Sequence, residues 1–558
     1  MGASASGGAA YDYVVIGAGT AGCILASRLS EDPASSVLLV EAGGSDRTPI
    51  LTMPAALPFA YQSKRVQWGY LSGPEPELNG REIDEKTGRV LGGSSSINAM
   101  IFNRGNPLDY DGWAADGLTD WDFAHCLPYF KRMETFANGP DDWRGGSGPM
   151  QVGRSSAKHK LYDAFLESGL QSGWGVTPDH NGHRQEGMHI AQSSIHRGLR
   201  WSTSKAYVRP AVSRANLHVL SRTHVNRVIV TDGAAVGVEV ADGPGSTRIT
   251  ARREVILSAG AFGSPKLLML SGLGPADELR RHGIAVVADV DQVGRNLQNH
   301  PGVDVQWAAD HEDSLTSEVG LVGQARLAAE WGLLRRGLGA TNFFEAGAFL
   351  RTNDEVAFPD MQYEFLALTR KLVNGKLVPV PGFQFWMDLS RPHSRGRVTL
   401  RSADPSTAPS IVFNHLADRR DLTDLVAGVR LIREIVAQPA WTRYNKGELT
   451  PGPSVTSDAD LEAFLRAKLG TSYHPSGTVR MGVDDEAPVD AHGRFRAVHG
   501  LRVVDASIIP KVVTANLNAP VMMMAEKIAD HVLGRPALAA DHAEVYRRPR
   551  NEPSRGKA

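Results

Sequence analysis

The sequence predicts an α/β protein in which a Rossmann-like, doubly wound nucleotide-binding domain is built from discontinuous segments and accompanied by an α+β domain. Three observations predict this class. A buried apolar strand at residues 13–16 runs directly into a G-x-G-x-x-G spacing and a helix. A second apolar strand, residues 254–258, also opens into a glycine-rich corner and a helix. Between residues 302 and 470, helical and strand-like stretches alternate without a further nucleotide signal.

The glycines of the opening motif have separate steric roles. Gly17 permits a tight turn, Gly19 lets the backbone approach a pyrophosphate, and Gly22 lets the following helix pack against the strand. That helix, residues 21–29, directs its first N–H groups at the phosphates. Glu41 ends the next buried strand, where its carboxylate can accept hydrogen bonds from both hydroxyls of an adenosine ribose. The motif therefore predicts a dinucleotide site. It disfavours NADP, whose 2′-phosphate Glu41 would repel, and leaves NAD and FAD open.

Size, charge and cysteine content narrow the class of protein. At 558 residues the chain is too long for one core, so two domains are expected. The formal net charge of -1 gives no electrostatic basis for binding nucleic acid or an anionic membrane. Two cysteines make no disulfide framework, and no apolar run reaches the length that spans a bilayer. These features predict a cytoplasmic protein without a transmembrane segment.

Further elements follow from hydrophobic periodicity and turn residues. Residues 48–77 are rich in prolines and aromatic residues. The frequent prolines exclude helix, so this stretch is predicted to be a long ordered excursion over the surface. Short strands at 217–220, 225–230 and 235–240 predict a meander attached to the nucleotide domain. The remaining predicted elements are helices at 123–135, 157–173, 320–337, 421–438 and 519–533, and strands at 37–40, 384–389, 397–401 and 501–505.

A second glycine-rich loop lies at residues 88–100, GRVLGGSSSINAM. Gly92 and Gly93 are followed by three serines that end at Ser96, which are small residues with free backbone donors before a capped helix start. This loop predicts a second approach to phosphate, which an NAD-binding protein does not need.

These elements divide the chain into alternating segments. The nucleotide-binding domain is expected to comprise residues 8–155, 215–301 and 470–536. The second domain is expected to comprise a connecting segment at 156–214 and a main part at 302–469, which we assign to the substrate. Residues 537–558 are polar, with several arginines and prolines, and are predicted to form a disordered tail.

Two loops near the C-terminus are candidates for the chemistry, TSYHPSGTVRM at 471–481 and VTANLNAP at 513–520. Loops at the ends of strands are where α/β proteins place reactive groups. His474 precedes a proline in the first loop, and Asn518 lies just before a helix in the second. The alternative is that His474 is a surface or structural histidine, one of 18 in the chain.

Taken together, these blocks resemble the glucose–methanol–choline family of flavoprotein oxidoreductases. The opening motif with Glu41, GRVLGGSSSINAM, GAFGSPKLLMLSGLG, and HPSGTVRMG with TANLNAP stand in the family's order over residues 11–533. The segments MPAALPFAYQSKRVQWGY, TNFFEAGAFLR, SRGRVTLRSADP and LRVVDASIIP are similar to its choline dehydrogenase branch. The resemblance implies a glutathione-reductase-like FAD-binding domain and an α+β substrate-binding domain.

The resemblance also implies the cofactor FAD. It is expected to be bound without a covalent bond, because Ile97 stands where some relatives carry a flavin-linking histidine. The residues expected to contact FAD are Gly17, Gly19, Thr20, Ala21, Gly22, Glu41, Ala42, Trp68, Gly92, Gly93, Ser96, Asn98, Ala99, Val225, Ala259, Gly260, Tyr473, Asp505, Ala506 and Asn518.

The implied reaction is oxidation of a primary alcohol to the aldehyde, with a hydride passing to the flavin. His474 would accept the hydroxyl proton, and Asn518 would donate a hydrogen bond to the developing alkoxide. Glu345, near Phe343, aligns with an acid that faces the trimethylammonium group in choline-acting relatives, so both are expected to bind the substrate. The alternative is that Glu345 is a structural acid paired with an arginine.

Three other functions stay open at this point. An alcohol oxidase of the same family would use oxygen on aryl or aliphatic alcohols. A NAD-dependent dehydrogenase would share only the opening motif, and a flavoprotein of this fold could instead act as a lyase, a decarboxylase or a binding protein. The identity of the alcohol, the electron acceptor and the oligomeric state, a homo-oligomer included, are not determined by the sequence.

Overall fold

The structure is a computed structural model, and it describes residues 9–243, 245–373 and 376–548. Within these residues the chain forms a mainly parallel sheet assembled from distant segments and a second, antiparallel sheet, each with its own hydrophobic core. The predicted fold class, α/β with a discontinuous Rossmann-like part and an α+β part, is confirmed.

The first sheet is centred on the opening apolar strand. Ala10–Ile16 pairs in parallel with Val37–Glu41 on one side and with Gly245–Leu257 on the other. Leu501–Val503 also pairs in parallel with Gly245–Leu257, so the end of the chain returns to the sheet that its beginning forms. The spatial order is Leu217–Ser221, Val37–Glu41, Ala10–Ile16, Gly245–Leu257, Ala234–Asp242 and Val225–Thr231.

The predicted meander is right for two of its three strands. Val225–Thr231 and Ala234–Asp242 form an antiparallel ribbon that continues into Gly245–Leu257. Leu217–Ser221 was wrongly placed in this ribbon. It pairs in parallel with Val37–Glu41 at the opposite edge of the sheet, where it satisfies the backbone groups of that strand.

The second sheet is antiparallel. Its order is Glu448–Thr450, Pro301–Ala308, Gly382–Leu389, Met361–Leu366, Ala346–Leu350 and Gly187–Ile190, and Gly470–Thr471 pairs with the start of Pro301–Ala308. The strands at 346–350 and 361–366 were not predicted, because they are almost continuously buried and show no alternation of polar and apolar residues. Phe365, Phe383 and Trp441 pack together in the core beside this sheet.

The predicted helices agree with the observed ones to within a few residues at each end, but the helices Pro107–Ala115 and Asp458–Lys468 were not predicted. Asp418 begins the longest one by accepting a hydrogen bond from the backbone of Arg420. None of the helices in the described residues is both long and apolar enough to cross a bilayer. The helices of eight or more residues are Thr20–Leu29, Pro107–Ala115, Phe123–Met133, Lys160–Gln171, Gly260–Leu270, Leu321–Leu334, Arg419–Val436, Asp458–Lys468 and Asn518–Val532.

The proline-rich excursion at 48–77 departs from the prediction that it excludes helix. Pro49–Thr52 and Leu57–Gln62 are short α-helices. Their prolines stand in the first turn, where the missing N–H would have no partner in the helix. Proline therefore begins these helices rather than preventing them.

The prediction of a disordered tail from residue 537 is wrong for residues 537–548. Leu538, Ala543 and Val545 pack against the core of the first sheet. The Asp541 backbone N–H donates to the Ala124 carbonyl at 2.9 Å, and its side chain pairs with Lys131. The tail is polar overall, so its composition did not indicate that a few apolar residues make these contacts. Residues 549–558 lie outside the described part of the chain.

These contacts predict that the tail stabilises the first domain. Truncation after Pro536 should lower the midpoint of thermal unfolding, because it exposes the apolar surface under three side chains, worth about 2 kcal/mol. Truncation after Arg548 keeps every described contact and serves as the control. Equal midpoints for the two truncated proteins, measured by circular dichroism, would contradict a stabilising tail.

Candidate active site

A cavity of about 690 Å³ runs between the two sheets. One end is lined by the carboxyl ends of the parallel strands, including Ile16, Val40 and Ser258. The other end is lined by the antiparallel sheet, including Glu364 and Trp386. Its volume is in the range of cofactor and substrate sites.

The nucleotide end is shaped by backbone contacts that leave no room for side chains. Gly17 has φ +95°, and a Cβ there would lie 2.5 Å from the Ser258 carbonyl oxygen. A Cβ on Gly22 would lie 1.9 Å from the Gly17 carbonyl oxygen, and one on Gly93 would lie 2.6 Å from the Gly19 Cα. The two glycine-rich loops and the strand end at Ser258 therefore meet through backbone alone.

Glu41 closes this end with a carboxylate. Its two oxygens accept hydrogen bonds from the backbone N–H groups of Ala18, at 2.9 Å, and Gly43, at 2.7 Å. Burial raises the pKa of Glu41 to about 7, and these hydrogen bonds oppose the shift. Each carboxylate oxygen can accept a further hydrogen bond, which fits the hydroxyl groups of a ribose.

Most residues expected to contact FAD line this cavity. They are Gly17, Gly19, Thr20, Ala21, Glu41, Ala42, Trp68, Gly93, Asn98, Ala99, Val225, Ala259, Gly260, Tyr473, Asp505, Ala506 and Asn518. Three others lie behind the lining. Gly22 packs against Gly17, the Gly92 N–H donates to the Ala18 carbonyl, and the Ser96 hydroxyl donates to the Leu91 carbonyl. These three shape the loops instead of facing the cavity.

The cavity fits a dinucleotide with a second phosphate approach. The side-chain-free junction of Gly17, Gly19 and Gly93 provides a cradle for a pyrophosphate, and the helix Thr20–Leu29 begins there. Ile97, the residue that the resemblance places at the point of flavin attachment, lines the cavity. Its aliphatic side chain supplies no atom for a covalent bond.

His474 lies at the other end of the cavity, where it pairs with the fully buried His300. Its Nδ1 is 2.9 Å from Nδ1 of His300, and its backbone N–H donates to Asn299 Oδ1 at 2.8 Å. Burial, followed by the neighbouring His300, holds the pKa of His474 well below its usual range. Burial likewise lowers the pKa of His300 to about 4. Both imidazoles are therefore neutral near pH 7.

The carboxamide beside His474 belongs to Asn516, and the expectation that Asn518 fills this place is corrected. Asn516 Nδ2 lies 3.2 Å from His474 Nε2. Asn518 lies in the same cavity but accepts a hydrogen bond from the Thr20 hydroxyl at 2.7 Å, at the start of the nucleotide-binding helix. The two asparagines stand on either side of Leu517, so they face different ends of the cavity.

This contact also assigns the protons of the histidine pair. Because Asn516 Nδ2 is a donor, Nε2 of His474 accepts and its Nδ1 carries the hydrogen, which is donated to His300. His300 thus holds the tautomer in which the Nε2 lone pair faces the cavity. A hydroxyl group that lies beside both atoms could donate to His474 Nε2 and accept from Asn516 Nδ2.

Glu345 and Phe343 do not line the cavity, which corrects the expected substrate contacts. Glu345 Oε1 accepts a hydrogen bond from the Ser156 hydroxyl at 3.2 Å, and the backbone of Ser156 and Ala157 also hydrogen-bonds to this carboxylate. The Phe343 carbonyl accepts from the Tyr162 hydroxyl. The acidic side chain that lines the cavity next to Asn516 is Glu364.

Sequence reasoning missed three residues of this end: His300, Glu364 and Asn516. His300 had no local motif, because its role comes from antiparallel pairing between Pro301 and Thr471, which brings the two histidines together. Glu364 had a usable signal, since it is a single acid in an otherwise apolar run.

Comparison with known proteins places the chain among flavoenzymes. Residues 11–302 and 392–525 match the N-terminal and C-terminal models of the family described as GMC oxidoreductase. The chain is 44% identical over 542 residues to an oxygen-dependent choline dehydrogenase of Brucella anthropi, covering 97% of this chain and 98% of the relative.

Two solved structures are similar over nearly the whole chain. Pyridoxine 4-oxidase from Mesorbium loti has a TM-score of 0.84 and 29% identity, covering 94% of this chain and 100% of that one. A variant of formate oxidase from Aspergillus oryzae RIB40 has a TM-score of 0.87 and 26% identity, covering 95% and 99%.

The contacts of Gly19 and Gly22 predict two different defects. A Cβ on Gly19 meets no atom closer than 3.8 Å, so Gly19→Ala should fold normally but weaken FAD binding at the cavity wall. Gly22→Ala forces a Cβ against the Gly17 carbonyl and should also destabilise the protein, by about 1–3 kcal/mol. Flavin content and the thermal midpoint of the apoprotein separate the two. Unchanged stability in Gly22→Ala would refute the packing role.

Proposed function

This chain belongs to the GMC oxidoreductase family and is an FAD-dependent oxidoreductase that acts on CH–OH donors, and we propose that it oxidises choline, or a similar primary alcohol, to the aldehyde with His474 as the base. The observation that carries the proposal is the pairing of His474 Nε2 with Asn516 Nδ2, 3.2 Å apart, on the wall of the cavity that also holds the nucleotide-binding loops. Choline is chosen because the Brucella anthropi relative is named for it.

The protein side of the reaction consists of holding the alcohol and moving one proton. Bound FAD supplies the hydride acceptor. His474 takes the hydroxyl proton at Nε2, and a base of this kind contributes about 10²- to 10⁴-fold. Asn516 donates to the oxygen as negative charge develops on it. We also propose that FAD is held without a covalent bond, since Ile97 lines the cavity where a histidine would be needed.

His300 is proposed to act through His474 as a positioning residue. It accepts the Nδ1 hydrogen of neutral His474 and so keeps the Nε2 lone pair towards the substrate. When Nε2 gains a proton, the same contact lies beside the new imidazolium. The hydroxyl proton therefore has one defined acceptor, Nε2 of His474, and His300 lies on the opposite side of that ring.

A NAD-dependent dehydrogenase is not favoured by the comparisons, and the absorption spectrum of the purified protein tests the cofactor directly. A yellow protein that is bleached anaerobically by alcohols fits the proposal. A colourless protein that does not take up FAD contradicts it. Oxygen uptake measured beside dye reduction on the same preparation then identifies the electron acceptor.

His474→Ala should keep FAD but reduce the anaerobic rate of flavin bleaching by about 10²-fold or more, because the base is lost. His218→Ala changes a histidine that bonds Tyr11 in the first domain, and is the matched control. Stopped-flow absorbance measures both. Normal bleaching in His474→Ala would remove this residue from the mechanism.

The pH profile should reflect the low pKa of His474. A base whose pKa is lowered keeps its neutral, active form at lower pH, so the acid limb of kcat/KM for an uncharged alcohol should lie below pH 6.5. An acid limb above pH 7, assigned to His474 by its absence in His474→Gln, would contradict the neutral histidine pair.

The two asparagines should give opposite results when each is changed to alanine. Asn516→Ala removes the donor beside His474 and should lower the bleaching rate by about 10²-fold with FAD still bound. Asn518→Ala breaks the bond with Thr20 and should weaken FAD binding more than it slows bleaching of the bound flavin. Slower bleaching in Asn518→Ala together with weaker FAD binding in Asn516→Ala would restore Asn518 as the donor beside His474.

A further inference from the structure

Glu364 is a half-buried acid that faces the substrate end of the cavity. It lies on the strand Met361–Leu366, between Tyr363 and Phe365, whose side chains are fully buried. Glu364 itself is partly accessible and lines the cavity. It is therefore enclosed by protein but open towards a ligand.

Among the residues that the structure describes, this carboxylate has hydrogen-bond donors but no counter-charge. Its Oε1 accepts from Gln362 Nε2 at 2.9 Å and from Asn516 Nδ2 at 3.3 Å. Within the described part of the chain, no lysine, arginine or histidine forms an ion pair with it, and no group donates to its Oε2. A buried carboxylate without a cation is costly, so buried acids are normally paired.

The charged groups near Glu364 do not supply the missing positive charge. Asp388 interacts with Glu364 as a like charge, and Asp304 lines the same cavity. Arg370 also lines the cavity, but its charge acts on Asp304, where burial raises the pKa to about 6 and Arg370 opposes that rise. Burial raises the pKa of Glu364 to about 7. A bound cation would favour the ionised carboxylate and offset this burial.

Aromatic side chains complete the same end of the cavity. Tyr61, Phe344, Trp386 and Tyr473 line it, and the rings of Tyr61 and Tyr473 meet edge to face with centroids 5.5 Å apart. Aromatic faces beside a carboxylate favour a cation whose charge is covered by methyl groups, because such a cation gives up little hydration.

Asn516 connects this acid to the base. Its Nδ2 lies within hydrogen-bond distance of both His474 Nε2 and Glu364 Oε1. A single amide group thus spans the distance between the two. A substrate whose hydroxyl and cation are separated by a short linker could reach both at once.

We propose that Glu364 is the residue that selects a cationic alcohol, with its carboxylate facing the ammonium group while His474 and Asn516 hold the hydroxyl. This inference rests on the proposed alcohol oxidation and deepens it by naming the group that reads the substrate charge. It assigns the role to Glu364 in place of Glu345, whose carboxylate is held by Ser156 outside the cavity lining.

The test compares choline with 3,3-dimethylbutan-1-ol, an uncharged alcohol of the same shape. Anaerobic flavin bleaching gives kcat/KM for both in the native protein, in Glu364→Gln and in Glu345→Gln. Glu364→Gln keeps the size and an acceptor oxygen for Asn516 but loses the charge. The ratio of choline to neutral alcohol should fall at least about 30-fold in Glu364→Gln. It should change less than about threefold in Glu345→Gln.

Binding of tetramethylammonium gives a readout that does not depend on turnover. Titration calorimetry on the holoprotein should show binding to the native form and to Glu345→Gln, and a loss of at least about tenfold in affinity in Glu364→Gln. Flavin content and circular dichroism verify that each variant is folded.

Equal losses for both alcohols in Glu364→Gln, or unchanged binding of tetramethylammonium, would overturn the assignment. A changed ratio in Glu345→Gln alone would return the role to that residue. If the native protein bleaches with the neutral alcohol but shows no preference for choline, the charge selection fails while alcohol oxidation stands. If no alcohol bleaches the flavin, the proposed function itself fails.

Discussion

The rest of the structure depends on the contact between two glycine-rich loops that meet without side chains. Gly93 lies against Gly19, and Gly17 lies against the carbonyl of Ser258, at distances that a single methyl group would block. Because backbone meets backbone here, the two loops and the strand end at Ser258 come close enough to line one continuous cavity.

The substrate end uses burial to tune ionisable groups in opposite directions. Removal from water disfavours charge, so it lowers the pKa of His474 and raises that of Glu364. One cause therefore keeps the imidazole neutral and disfavours the ionised form of the carboxylate. Asn516 lies between them and hydrogen-bonds to both, so the two groups act on one small volume of the cavity.

The opening strand, helix and acid were predictable because glycine spacing and apolar runs are local signals. The choice between Asn516 and Asn518 was not, since both lie in one loop and only the tertiary fold decides which faces His474. Glu345 was favoured through a resemblance, whereas its environment depends on Ser156, far away in the chain. Leu217–Ser221 was misplaced for a similar reason, because edge pairing is not visible in a short apolar strand.

The pairing of Gly470–Thr471 with Pro301–Ala308 has a consequence for biosynthesis. His474 and Asn516 leave the ribosome long after the two glycine-rich loops, and Leu501–Val503 joins the first sheet equally late. A nascent chain thus carries both glycine-rich loops before it carries His474. Translation has to be almost complete before the far end of the cavity is assembled, and a product that terminates early would lack His474 and Asn516 altogether.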